Sequence, residues 1–252
     1  LILGTQRTGS QALYGALNLH PQIVCGGEWT YKTPSPMKLR KAEEALSGNF
    51  AQFIAGQPHL EARYANALTD ETRWLGFKIL FRSSAKWLGH PALAPALWVD
   101  RLEGHLRWLR RNPEIRVIQL IRQDPVEWLK SKYMGRAIGH THKTYPEGFK
   151  VRIPIGPALR AVGAKRWVDQ RISSLSETNP YMLISYEDFL SDNVKEIRRC
   201  LGFLGCDVPD DTPTGKSFQR QSRKGASEYI ENYGELIAAL ERAGAWPAQL
   251  AS

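Results

Sequence analysis

The sequence contains no apolar run of the length needed to span a bilayer, no secretory leader, no tract of five or more like charges, and no internal repeat or low-complexity segment. A membrane-spanning helix and a disordered basic tail are thereby excluded. The three cysteines, Cys25, Cys200 and Cys206, form no CxxC pair and no metal-ligand spacing, which argues against a thiolate metal site. Odd in number and set among apolar neighbours, they are expected to be reduced, buried thiols of a cytoplasmic protein. The chain starts inside an apolar stretch without a methionine, so a short missing N-terminal piece or excision from a larger protein stays open. What the sequence has in excess is positive charge, 34 Lys and Arg against 25 Asp and Glu for a net +9. That sign suits an anionic partner: nucleic acid, a membrane surface or a small ligand bearing several phosphates. Because the basic residues are dispersed, a localised anion site on a generally basic surface is expected. A chain of 252 residues is ample for one α/β domain with insertions.

The organising stretch is residues 1–21. Leu1-Ile2-Leu3 reads as a buried strand, residues 4–9 as a turn rich in backbone N–H groups, and Ser10 onward as a helix carrying Leu13, Ala16, Leu17 and Leu19 near helical spacing. Such a strand–turn–helix aims unpaired amides and a positive dipole end at one point, where phosphate or sulfate can sit. Gly4 and Gly9 permit the tight turn, and Arg7 adds a cation. The turn is P-loop-like but lacks the Gly-Lys-Ser/Thr ending, so it offers neither a Walker lysine nor the usual magnesium hydroxyl. An ordinary strand-to-helix turn is the plain alternative.

Further strands are expected at 22–25, 74–81, 116–121 and 181–186, with helices at 97–111, from Pro125, at 167–175, at 187–204 and at 228–242. Pro125 suits a first helical turn and Glu127 the positive helix end. Within that helix Val126, Leu129 and Tyr133 form the packing face, and Ser131 lies on another. Alternating strands and helices predict an α/β fold, a P-loop-like, mostly parallel sheet flanked by helices, in a single domain over 1–252. A helical insertion is expected over 35–73, and a mobile, basic active-site loop over 136–166. Glu28, just past a strand end, is a candidate for chemistry or a plain loop carboxylate. Lys78, alone in an apolar strand, either emerges at the sheet edge or serves a buried anion. Trp29, Trp74, Trp87 and Tyr145 are either an aromatic platform for a sugar ring or core packing.

Four separated stretches agree: G-T-Q-R-T-G-S at 4–10, L-I-R-Q-D-P-V-E-W-L-K-S-K-Y at 120–133, I-S-Y-E-D-F-L with F-L-G within 184–205, and R-K-G at 223–225. Together they resemble the sulfotransferases that use 3′-phosphoadenosine 5′-phosphosulfate (PAPS). With G-G-E and G-F-K they look most like the bacterial carbohydrate enzymes of the trehalose and nodulation-factor types. The resemblance implies that Gln6, Arg7, Thr8, Gly9, Ser10 and Gln11 surround the 5′-phosphate and sulfuryl oxygens. It implies that Arg122 and Ser131 hold the 3′-phosphate, that Tyr186 lies near the adenine, and that Arg223, Lys224 and Gly225 close over the 3′-phosphate. The pattern departs at one point: Gln123 puts an extra residue between Arg122 and Pro125.

The expected reaction is in-line attack on sulfur by an acceptor hydroxyl of a small molecule, glycan or glycolipid, with PAPS as donor, the 3′,5′-bisphosphate PAP as product and no metal. Glu28 is the expected general base, with His140 and His142 in reserve. Arg7 and Ser10 would stabilise the leaving oxygen, and Lys78 would contact the sulfuryl group or acceptor. A P-loop-like kinase would need the missing lysine. A nucleic-acid-binding module would need a recognition helix, an RNP-like stretch or zinc spacing, none of which is present. A non-catalytic, nucleotide-binding sulfotransferase-like protein is the remaining alternative.

Overall fold

The structure, a computed structural model, describes residues 1–28, 69–81, 94–139, 145–212 and 225–245, the side chains of 26–28 and 94–101 excepted. In chain order the described elements are β1 (Ile2–Thr5), α1 (Ser10–Leu17), β2 (Ile23–Glu28), β3 (Trp74–Phe81), α2 (Ala94–Arg111), β4 (Val117–Ile121), α3 (Pro125–Ala137), α4 (Ile155–Ser173), β5 (Tyr181–Ser185), α5 (Tyr186–Ser191), α6 (Asn193–Leu204), α7 (Ala226–Tyr229) and α8 (Tyr233–Arg242). The strands form one five-stranded sheet in the order β2-β3-β1-β4-β5, with every neighbouring pair parallel. The sheet is therefore the P-loop-like α/β architecture expected from the alternating pattern.

The pleat sorts apolar residues by parity. Ile2, Ile118, Leu120, Met182 and Ile184 pack with Leu13 and Leu17 of α1 and with Ile197, Leu201 and Leu204 of α6. Leu3, Phe77, Ile79, Phe81 and Val117 pack on the other face, against Leu102, Leu106 and Leu109 of α2 and Val168 and Ile172 of α4. A third cluster, built by α3, α4, α7 and α8, seats α3 from Val126, Leu129 and Met134. Right-handed crossovers explain the two faces: the chain leaves β1 towards one sheet edge and β3 towards the other. That reversal around β1 opens a crevice outside the carboxyl ends of β1, β3 and β4. All three cysteines are buried free thiols. Among the described residues no helix is long and apolar enough to cross a membrane.

Several expectations are corrected. The irregular loop expected over 136–166 is much shorter, since α3 runs to Ala137 and α4 already begins at Ile155. Glycines, a proline and basic residues disguised that helix, yet Ala158, Val162, Lys165, Val168 and Ile172 form one buried face at helical spacing. Pro157 stands in the first turn, where a missing N–H costs nothing. The single helix expected over 187–204 is two, broken at Asp192, whose side chain caps α6 by accepting from the Lys195 amide. The terminal helix is likewise divided, because Ile230 leaves the helix to bridge Val151. Gly4 belongs to β1 rather than the turn, and a Cβ there would collide with the Leu120 carbonyl oxygen. Strand β2 continues through Glu28, with a register irregularity between Cys25 and Glu28. The insertion expected over 35–73 falls almost wholly outside the described residues.

Candidate active site

The turn after β1 is held at both ends. The Gln6 amide donates to the Phe81 carbonyl at 3.3 Å, the Thr8 hydroxyl to the Thr5 carbonyl at 2.9 Å, and the Trp128 indole N–H to the Gln6 carbonyl at 2.9 Å. Arg7 and Gly9 both adopt left-handed backbone, with φ 70° and 82°. Alternation of this kind turns successive N–H groups inward. The Gly9 carbonyl accepts the first α1 bonds, from Ala12 and Leu13. The amides of Gly9, Ser10 and Gln11 precede any helical carbonyl, and so stand at the positive end of α1 as expected of an anion cradle.

Arg122, 8% exposed, stands one residue past β4 and next to this turn. One terminal nitrogen donates to the Arg7 carbonyl at 3.4 Å, and the other pairs with Glu127 Oε2 at 3.1 Å. The guanidinium carbon lies 4.5 Å from the centre of the Tyr186 ring. The same ring closes on Gly9, where an added Cβ would come within 2.6 Å of Tyr186 Cδ2. Asp124 caps α3 through the amides of Val126 and Glu127. Burial raises the Asp124 pKa, against the bonds from those two amides. Arg7 Nε donates to Ser131 Oγ at 2.9 Å. Burial lowers the Arg7 pKa, while Tyr145 hydrogen-bonds to it and raises it.

Gln6, Arg7, Thr8, Gly9, Ser10, Arg122, Ser131 and Tyr186 thus meet at one place. Gln11 and Lys78 meet beside it: Lys78 Nζ donates to Gln11 Oε1 at 2.8 Å and lies 4.9 Å from the Tyr14 ring centre. Lys78 is buried, and its Cα is in register with that of Glu28 on β2. Gly225 stands just before α7. Arg223, Lys224, His140, His142, Trp29 and Trp87 lie outside the described residues. Trp74 begins β3 at the opposite end of the sheet and stacks on Arg116, so it is no part of an acceptor platform at this edge. Tyr145 is buried edge-on against Tyr229.

Sequence reasoning missed four contributors. Glu127, read only as a helix-end charge, bridges Arg122 and Lys130, the latter at 2.7 Å. Lys130 is buried and lies 5.5 Å from the Tyr229 ring. Tyr145 reaches Arg7, and Glu187 accepts the amides of Gln123 and Asp124. Lysine at 130, one turn after Glu127, was the single local signal available. Among the described residues no cluster of His, Cys, Asp or Glu is arranged to hold a metal ion.

An anionic group fits this donor set on one specific observation. Arg122 Nε is buried and has no hydrogen-bond partner, although the rest of the guanidinium is fixed. Cations and helix-start amides thus gather at the switch point of a parallel sheet of the P-loop-like α/β class. The sequence profile described as the sulfotransferase family matches residues 1–210, and the chain belongs to that family. Solved structures with a similar fold include a sulfotransferase from Alicyclobacillus acidocaldarius, at 16% identity and TM-score 0.46 over 97% of this chain and 94% of that one. A sulfotransferase from Mycobacterium avium matches at 12% identity and TM-score 0.45, over 96% and 75%. The sulfotransferase domain of the Synechococcus PCC 7002 olefin synthase matches at 15% and 0.44, over 98% and 87%. Comparison with curated proteins returns no match.

Proposed function

We propose that this chain transfers a sulfuryl group from PAPS to an acceptor hydroxyl on a carbohydrate or glycolipid. The observation that carries the reading is the convergence of the residue 4–10 turn with Arg122, Ser131 and Tyr186 on one sheet edge, in a chain of the sulfotransferase family. The donor brings the activated sulfuryl group and a phosphate leaving group. The turn amides, Thr8 and Ser10 bind the 5′-phosphosulfate end, with Gln6 and Gln11 beside them. Arg122 and Ser131 bind the 3′-phosphate, Tyr186 borders the adenine, and Arg223, Lys224 and Gly225 close over them. Arg7 and Ser10 stabilise charge at the leaving oxygen, and Lys78 stands where it would meet the sulfuryl group or acceptor. Glu28 takes the acceptor proton as the new O–S bond forms. A carboxylate with a pKa near 4.3 cannot ionise an alcohol beforehand, but it can accept the proton within the step. The carbohydrate acceptor rests on the G-G-E and G-F-K likeness.

A thermal-shift titration tests the donor site. PAP at a hundred times its dissociation constant should stabilise the protein by about 2.7 kcal/mol, a rise of roughly 5–10 °C for a chain of this size. ATP with magnesium should produce a much smaller shift, and R122A should abolish the preference for PAP. A shift with ATP alone would overturn the assignment. Transfer of label from PAPS onto a panel of oligosaccharides and glycolipids then tests the acceptor, and PAP binding without turnover on any acceptor would support the non-catalytic alternative.

A further inference from the structure

The turn from β4 into α3 carries Arg122 out of the strand, and side-chain carboxylates hold its backbone. Two carboxylates accept the amides on either side of Pro125. Asp124 accepts from Val126 at 2.8 Å and Glu127 at 2.9 Å. Glu187 accepts from Gln123 through Oε2 at 3.0 Å and from Asp124 through Oε1 at 3.1 Å. Pro125, between the two pairs, has no N–H to place. The Gln123 amide belongs to the peptide that follows Arg122, so a carboxylate gripping it fixes the direction in which Arg122 leaves the strand. The residue beside Glu187, Tyr186, holds the same arginine from the other end, its ring 4.5 Å from the guanidinium carbon. Two consecutive residues at the start of α5 therefore restrain Arg122 at backbone and side chain together.

We infer that Glu187 is a positioning residue for Arg122, and that recognition of a 3′-phosphate depends on it. The inference rests on the PAPS reading above, because it concerns how the arginine assigned to the 3′-phosphate is aimed. Glu187 makes no contact with the nucleotide in this account. Its carboxylate oxygens are both used on backbone, each bond being of the charge-assisted kind. A small error in the turn would be multiplied along the arginine side chain, and a bidentate fork tolerates such error poorly.

The test is isothermal titration of the folded protein with PAP and with adenosine 5′-monophosphate, which differ in the 3′-phosphate. The ratio of the two dissociation constants measures the 3′-phosphate increment. In E187A the increment should fall at least tenfold, with binding of the monophosphate changed less than twofold. E187Q, which keeps the size and one acceptor oxygen, should fall between E187A and the parent protein and decides the matter if E187A does not fold. An unchanged increment in E187Q and in any folded E187A, or equal weakening towards both nucleotides, would overturn the positioning role. Absence of any increment in the parent protein would overturn the PAPS reading itself, a distinct outcome.

Discussion

Arg122 and Lys78 are both buried cations at or just beyond the strands that flank β1, yet they are held in different ways. Arg122 stands just beyond β4 and is gripped from three elements: the Glu127 carboxylate on α3, the Arg7 carbonyl on the first turn and the Tyr186 ring on α5. Lys78 sits within β3 and climbs towards the edge along α1, donating to Gln11 with its ammonium near the Tyr14 ring. The difference follows the chemistry of the two groups. A planar fork can serve several partners at fixed angles and still present Nε, whereas an ammonium is a compact charge on a flexible stem. On the reading proposed above, the β4–β5 side is a rigid recognition device for the donor. On the same reading the β2–β3 side, where Glu28 is in register with Lys78, carries the proton transfer and the acceptor.

Substitution at Glu28 is the strongest test of that division. E28Q should lower turnover by roughly 10²–10⁴-fold, the usual contribution of a positioned general base, with PAP affinity unchanged. R122A should do the reverse to binding, since loss of charge-assisted bonds of about 1.5–3 kcal/mol each removes the 3′-phosphate preference. The two variants should dissociate in a pair of measurements, steady-state turnover and PAP titration. If E28Q weakens PAP binding as much as R122A does, the two sides of the edge are not functionally distinct.

Two glycines sharpen the contrast next. Gly9 and Gly205 have nearly the same left-handed backbone, φ 82° and 69°, so a Cβ at either site costs about 1–2 kcal/mol in conformational strain. Their surroundings differ. At Gly205 an added Cβ would come no nearer than 3.9 Å to a terminal nitrogen of Arg116, whereas at Gly9 it would come within 2.6 Å of the Tyr186 ring. G205A should lower the melting temperature alone, by a few degrees. G9A should lower it further and also weaken PAP binding, because the ring it displaces is the one stacked on Arg122. Equal losses in both variants, without a binding defect in G9A, would separate Tyr186 from the anion turn.

Legibility followed the same boundary between local pattern and spatial meeting. Strand β3 could be read to the residue, because W-L-G-F-K-I-L-F is an apolar run interrupted by one lysine. Arg122, Ser131 and Tyr186 were visible through the family motifs. The first part of helix α4, before Trp167, was not, since Gly156, Pro157 and Gly163 obscured an apolar face that only becomes plain against α2 and the sheet. The breaks at Asp192 and Ile230 escaped because the hydrophobic period continues through them, while a cap and a bridge to Val151 decide the backbone. Glu127 and Glu187 look like ordinary acidic residues in first helical turns. Their roles arise from partners 5 and 64 or 63 residues away, and no spacing rule connects α5 to the β4–α3 turn.

Lys132, on the same helix as Glu127, supplies a third way to hold a cation. Its ammonium lies 4.8 Å from the Trp128 ring centre, and burial, with Arg136 adding repulsion, lowers its pKa to about 8 from an ordinary 10.5. An unfolded chain keeps this proton up to the ordinary value, while the folded chain releases it above about pH 8. Between those limits the unfolded state binds more protons, so this group makes stability rise with pH. The contribution is complete above pH 10.5 and is lost as pH falls through 8. Cys25, raised to about 11, and Cys200, raised to about 12, act oppositely from pH 9 upward, and Tyr181, raised to about 12, does so from pH 10, so the parent protein's own profile mixes both signs. The difference between K132M and the parent, followed by urea denaturation from pH 7 to 10, isolates the lysine. K132M should gain most at pH 7 and lose that advantage as pH approaches 10. A constant difference across the range would mean that the Trp128 ring and its surroundings accept the charged form without penalty, which would place Lys132 with Arg122 and Lys78 among the cations this edge is built to hold.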